Sequence, residues 1–145
     1  MINLRHQIIM FIVMVIIGMT FNPMNMLAYK IKHLDISLTL FYGGLLMASN
    51  MIWSHEIVHY LSMNMFNTKL FFIGIVLSVI SVILLRKQLF VDDKQWMKRM
   101  IPHHSTALTT SYNIYNKTKD ERIKQLSKNI IDTQEKEIKL MKSYL

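Results

Sequence analysis

The sequence predicts an all-α protein in which three transmembrane helices are followed by a C-terminal antiparallel helical hairpin. Three observations carry that reading. Residues 1–89 hold only 8 of the 26 charged side chains and residues 90–145 hold the other 18, so an apolar part precedes a charged one. The apolar part contains three runs long enough to cross roughly 30 Å of hydrocarbon. In the charged part, apolar residues recur at steps of three and four, the period of an amphipathic helix. With 145 residues, 52% hydrophobic and 18% charged, against roughly 25% charged in an average soluble domain, a single soluble globule is excluded. The predicted domains are a membrane domain, 1–89, and a hairpin domain, 90–145.

The first predicted span runs from Ile8 to Leu27 and carries no charge. Pro23 would kink or end its helix, and Arg5 and Lys30 bracket it. A secretory signal is the competing reading, disfavoured by the length of the apolar stretch and the lack of a small-x-small cleavage site. The second span starts at Ile36, stays uncharged to Trp53 and continues to about Leu61. Its Gly43, Gly44, Ala48 and Ser49 are small enough for close helix contact in a bilayer. The third covers 66–85 and is strongest from Leu70 to Leu85, flanked by Lys69, Arg86 and Lys87.

Beyond Arg86 the pattern changes. Asp92 and Asp93 suit a helix start, by side-chain capping and by the helix dipole. Met97, Met100, Ile101, His104, Ala107, Leu108 and Ser111 then share one face, with a bend expected at Pro102. Asn116 to Lys119 reads as a polar turn, and Asp120 as the cap of a second helix. Its stripe is Ile123, Leu126, Ile130, Gln134, Ile138, Met141 and Leu145. A hairpin of about 55 residues has little core of its own, so it is expected to pair with a second copy or to pack on the membrane.

Composition removes several chemistries. The chain has no cysteine, which excludes disulfides, thiolate zinc sites, iron–sulfur clusters and cysteine nucleophiles. The net charge of +8 does not indicate nucleic acid. In residues 90–145 eleven basic side chains interleave with seven acidic ones, the pattern of a solvated face or of one near anionic headgroups. No glycine-rich phosphate loop is present, and no serine has an acid–base pair beside it.

Two constellations bear metal-binding residue types among 13 methionines and 6 histidines. In MKRMIPHH, Met97, Met100 and His104 stand at i, i+3 and i+7, on one helical face. His103 is one step off, within reach if Pro102 bends the helix. Met141 would lie opposite in an antiparallel pairing. Thioether with imidazole suits Cu(I) or Ag(I) rather than magnesium or calcium. The same methionines also read as core filler. In the middle span Met47, Met51, His55, His59 and Met63 recur every fourth residue, a second candidate site or transfer path. Steps of four drift by about 40° per turn, so they form one broad face. A histidine in a span is a functional-site hypothesis by default. His55, Glu56 and His59 also match the H-E-x-x-H zinc pattern, which lacks the third ligand a peptidase needs.

Val91 to Ser105 resembles the domain of unknown function 305 family, whose signature is an acidic start, a Met-x-x-Met-Ile-Pro-His-His core and a later Gln-x-x-Glu-Ile-x-x-Met. Gln134 to Met141, QEKEIKLM, supplies the last element at matching offsets. The resemblance covers 91–145, and more loosely the methionine-rich spans of membrane-anchored members. It implies a ferritin-like bundle built from such hairpins and, in some members, copper or silver held by Met and His. It would place Met97, Met100, His103, His104 and Met141 among the ligands. Many soluble members carry two hairpins, so this chain would need a second subunit to complete a four-helix bundle. Lys30, Lys32, Arg86 and Lys87 against Arg5 and Lys69 place the hairpin in the cytoplasm by the positive-inside tendency, whereas the resemblance places it outside.

The functional expectation is a multi-pass membrane protein that binds a soft metal, Cu(I) first, silver next and zinc less favoured. It would sequester, tolerate or hand over the metal without enzymatic chemistry. Expected partners are the lipid bilayer, the metal ion and further copies of the chain, not nucleic acid. The structural alternative is a membrane-anchored oligomerisation module whose methionines only pack. The enzymatic alternative is an intramembrane zinc metallopeptidase using His55, Glu56 and His59.

Overall fold

Four helices begin at an Asn or Asp whose side chain accepts a backbone N–H of the first turn, satisfying a donor that the helix leaves free. Asn22 accepts from Asn25 at 3.0 Å, Asn67 from Leu70 at 3.2 Å, Asp92 from Gln95 at 2.7 Å and Asp120 from Arg122 at 2.9 Å. The computed structural model describes residues 4–145; residues 1–3, the start of the expected membrane domain, lie outside the described residues. The helices are α1 (Leu4–Thr20), α2 (Pro23–Met26), α3 (Leu38–Met63), α4 (Thr68–Lys87), α5 (Asp93–Lys117) and α6 (Glu121–Ser143), with one 3-10 turn at Ile31–His33. No strand occurs among the described residues.

Two compact units result, one of residues 1–20 and 38–90, the other of 21–37 and 91–145. The apolar run from Ile8 to Leu27 is therefore not one helix. α1 stops at Thr20, and Pro23 opens α2 at the first-turn position where its missing N–H is harmless.

In the first unit α3 packs against both α1 and α4. Most of its buried residues are small or polar: Gly44, Ala48, Ser49, Glu56, Gly74 and Ser81 are buried, with Leu40 and Tyr42 the large hydrophobic ones. Its exterior is large and apolar, with Ile12, Ile16, Phe72, Val76 and Val79 each about half exposed. Gly44 lets the backbones of α1 and α3 touch, since a Cβ there would lie 2.7 Å from the Val15 carbonyl oxygen. Gly74 does the same for α4, where a Cβ would lie 2.8 Å from the Trp53 nitrogen. Asn50 Oδ1 accepts from Ser78 Oγ at 2.9 Å across α3 and α4. Two stretches, Arg5–Met26 and Thr68–Lys87, are long and apolar enough to cross a membrane. α3 misses that mark despite its 26 residues, because Asn50, His55, Glu56 and His59 lower its hydropathy.

In the second unit α5 and α6 form the expected hairpin around Ile101, Leu108, Ile131, Ile138 and Met141. The buried line of α6 is Ser127, Ile131, Ile138 and Met141: its first half lies one step off the expected stripe, whose Ile123 and Leu126 stay exposed. α5 runs unbroken through Pro102. Residues 21–37 fold onto α5. The Tyr29 N–H donates to Ser105 Oγ at 2.8 Å, Thr106 Oγ1 donates to the Met24 carbonyl at 2.8 Å, and the Tyr29 and Tyr112 rings stack at 5.0 Å.

Candidate metal centre in the helical hairpin

The antiparallel pairing of α5 and α6 brings Met141 into one core with Met97 and Met100, and His104 stands one turn further along α5, at its middle. Met141 belongs to the buried core, and Met97 and Met100 pack against it. His104 is 8% exposed. Its Nδ1 lies 2.8 Å from the Met100 carbonyl oxygen and its Nε2 lies 2.7 Å from Glu137 Oε2. A carbonyl only accepts, so Nδ1 carries a proton and donates. The Nε2–Glu137 contact needs a second proton, on the ring or on the carboxyl. That arrangement fixes the imidazole and leaves Nε2 as the nitrogen able to ligate, once Glu137 moves.

His103 stands apart. It is exposed, and its ring meets that of His104 edge-on at 6.0 Å. Partial burial, then the Arg99 charge and His104, hold its imidazole below the ordinary value. Burial also lowers the Arg99 guanidinium, which contacts Met24 Sδ. The structure thus packs Met97, Met100 and Met141 in one core and ties His104 to the Met100 carbonyl, with His103 exposed beside it.

Two participants were not foreseen. Glu137 stands one turn before Met141 on α6, and its bond to His104 follows from the helix pairing, for which the antiparallel register is the available signal. Met24 was assigned to the first span, although Asn22-Pro23 is a helix-start signature that separates it from the apolar run.

The ladder on α3 is less gathered. His55 and His59 rings lie 4.9 Å apart, while Met47 and Met63 are 43% and 60% exposed. Glu56 is buried, and its Oε2 accepts the Asn67 N–H at 2.9 Å at the start of α4. Its Oε1 lies 3.6 Å from His55 Nδ1. Among the described residues no three His, Asp or Glu side chains converge as a metal site.

A family model for "Domain of unknown function (DUF305)" matches residues 86–145. "Uncharacterized protein L153" of Acanthamoeba polyphaga mimivirus is 44% identical over 124 residues, which cover 86% of this chain and 81% of that protein. No solved structure matches. With the motif residues of both hairpin helices in place and a relative alike over most of its length, the chain belongs to the domain of unknown function 305 family.

Proposed function

We propose that this chain is a membrane-anchored soft-metal-binding protein, whose hairpin holds Cu(I), or Ag(I), through Met97, Met100, Met141 and His104. The observation that carries the reading is the orientation of His104: Nδ1–H is tied to the Met100 carbonyl beside the packed thioethers. A ligating histidine is commonly held in this way through its other nitrogen. The donor set is soft and neutral, the chemistry that favours Cu(I) over hard cations. Metal entry requires Glu137 to release Nε2, and that carboxylate side chain is 48% exposed. His103 is an accessory ligand at the rim. The role is sequestration, tolerance or hand-over, with no covalent chemistry.

Anchoring rests on the first unit, whose mostly small or polar interior and large apolar exterior invert the pattern of a water-soluble bundle. α3 joins α1 and α4 as a third span. At 1.5 Å per residue its length is about 39 Å, and its Asn50 and Glu56 bond to Ser78 of α4 and to the Asn67 N–H at the start of α4. Met47, Met51, His55, His59 and Met63 form a lower-affinity second site. Ile114, Ile123, Leu126 and Leu140 are exposed on the hairpin, an apolar surface that a second copy would cover in completing a four-helix bundle. Sidedness follows from where the metal is met: the resemblance favours the extracytoplasmic side.

The competing reading, a packing module, draws on Met141, which is only 7% exposed among Ile and Leu side chains. The experiment that separates the two is Cu(I) titration of the detergent-purified protein against a chelator of known affinity, beside the triple variant Met97→Leu, Met100→Leu and Met141→Leu. Leucine keeps volume and packing but offers no sulfur. Loss of affinity by tenfold or more in a folded variant supports the metal site. Unchanged binding overturns it and shifts attention to the α3 ladder. No binding by either protein leaves the packing module.

A further inference from the structure

The second unit contains a cavity of about 310 Å³ lined by Lys30, Lys32, His33, Leu108, Glu135, Ile138, Lys139 and Lys142. Four lysines from two distant segments converge on it. None has a carboxylate within 4 Å among the described residues. Glu135, the carboxylate on the wall, accepts the Tyr112 hydroxyl at 2.9 Å, a bond that helps push the Tyr112 phenol up to about 12. Lys142 is exposed, and its Nζ donates to the Lys32 carbonyl at 2.7 Å, which holds it at the cavity. The result is a concave cluster of positive charge that the chain itself leaves largely uncompensated.

His33 forms a fixed part of the wall. It is 6% exposed, and its Nδ1 lies 2.9 Å from Ser105 Oγ. That oxygen already accepts the Tyr29 N–H. A hydroxyl both donates and accepts, so this contact ties the ring to α5 in either tautomer. Burial, then Lys142, Lys30 and Lys32, hold this imidazole below its ordinary value. Burial, then Lys32 and Lys30, likewise lower the Lys142 ammonium, with Asp35 opposing them. Like charges are held together here against their own repulsion, which a bound anion would relieve.

We propose that this cavity binds a phosphate ester, its phosphate group among Lys30, Lys32, Lys139 and Lys142 and its carbon skeleton over Leu108 and Ile138. Lysine is a point-charge partner suited to phosphate, and several ammonium groups match a multiply charged anion better than a single carboxylate. The volume lies at the lower end for ligand pockets, roughly 300–1,000 Å³, and it exceeds what a bare phosphate fills. The ester can be soluble or the headgroup of an anionic lipid; the chemistry recognised is the same.

The test uses the full chain in a neutral detergent, titrated calorimetrically with inorganic phosphate, glycerol 3-phosphate and dihexanoyl phosphatidic acid. The comparison is the double variant Lys32→Gln and Lys142→Gln, with Lys117→Gln as a control outside the cavity. Saturable glycerol 3-phosphate binding, at least tenfold weaker in the double variant and within twofold in the control, supports a soluble ester. Binding confined to the short-chain lipid, with the same lysine dependence, supports a headgroup. Thermal unfolding should show the double variant as stable as the parent, and Lys139→Gln repeats the test if it does not fold. Failure of all three probes to bind, or equal weakening in the control, overturns the proposal.

Discussion

His104 Nε2 and Glu137 Oε2 lie 2.7 Å apart, joining the middle of α5 to the far part of α6. The contact occupies the one imidazole nitrogen that the Met100 carbonyl leaves open for a ligand. It makes Glu137 a gate on the proposed metal site. Glu137→Ala is expected to lower stability of the metal-free protein by about 1 kcal/mol, as the buried His104 Nε2 loses its hydrogen-bond partner. Cu(I) affinity should rise severalfold, because the metal no longer displaces a carboxylate. Thermal unfolding and chelator competition on the same sample read both effects. A fall in affinity would instead assign Glu137 to the ligand set.

Adjacent glycines in α3 should behave oppositely. A Cβ on Gly44 would sit 2.7 Å from the Val15 carbonyl oxygen and 3.0 Å from Met19 Cγ, whereas one on Gly43 meets nothing within 4 Å. Gly44→Ala forces α1 and α3 apart and should destabilise by about 1–3 kcal/mol. Gly43→Ala should be neutral or stabilising by up to about 1 kcal/mol, from helix propensity alone. Unfolding of the two proteins in detergent compares them directly; equal effects would contradict the close crossing.

Glu56 is predicted to be a structural acceptor rather than a general base. Glu56→Gln keeps an oxygen for the Asn67 N–H and should retain the parent's stability, while Glu56→Ala should lose about 1–2 kcal/mol. Zinc-dependent proteolysis by the parent that vanishes in a folded Glu56→Gln protein would reinstate the peptidase reading.

Stability should fall as pH drops through the histidine range. The folded-state value of His33 is lowered by burial and by Lys142, Lys30 and Lys32, so below the ordinary value near 6.5 the unfolded chain takes up the proton first. The stabilising difference is fully present at pH above 6.5 and is lost progressively below it. His103, lowered by partial burial and Arg99, adds in the same direction. Unfolding midpoints between pH 8 and pH 5 should show a decline that is shallower in His33→Asn, where an amide can still meet Ser105. An identical slope in that variant would remove His33 as the source.

The hairpin was legible in the sequence because its signals are local. Asp92 and Asp120 are capping residues followed by apolar steps of three and four, and both cap helices as expected. The small residues of α3 likewise announced a close crossing, although only Gly44, not Gly43, makes one. The first apolar run was legible in part. The stretch Arg5–Met26 is long and apolar enough to cross a membrane and Pro23 marks a break as expected, but the end of α1 at Thr20 and the Asn22 cap of a separate α2 are seen only in the structure.

The sequence by itself determined an all-helical chain, its apolar and charged halves, its family, and the residue types that suit a soft metal. Those properties reside in composition and in short periodic patterns. Tertiary structure decided which of these residues meet. His33 and Ser105 are 72 positions apart, His104 and Glu137 are 33 apart, and the lysines around the cavity come from segments more than 100 residues distant. Such pairings depend on how helices dock and in which register, and this is set by the sum of packing contacts, not by any local signal.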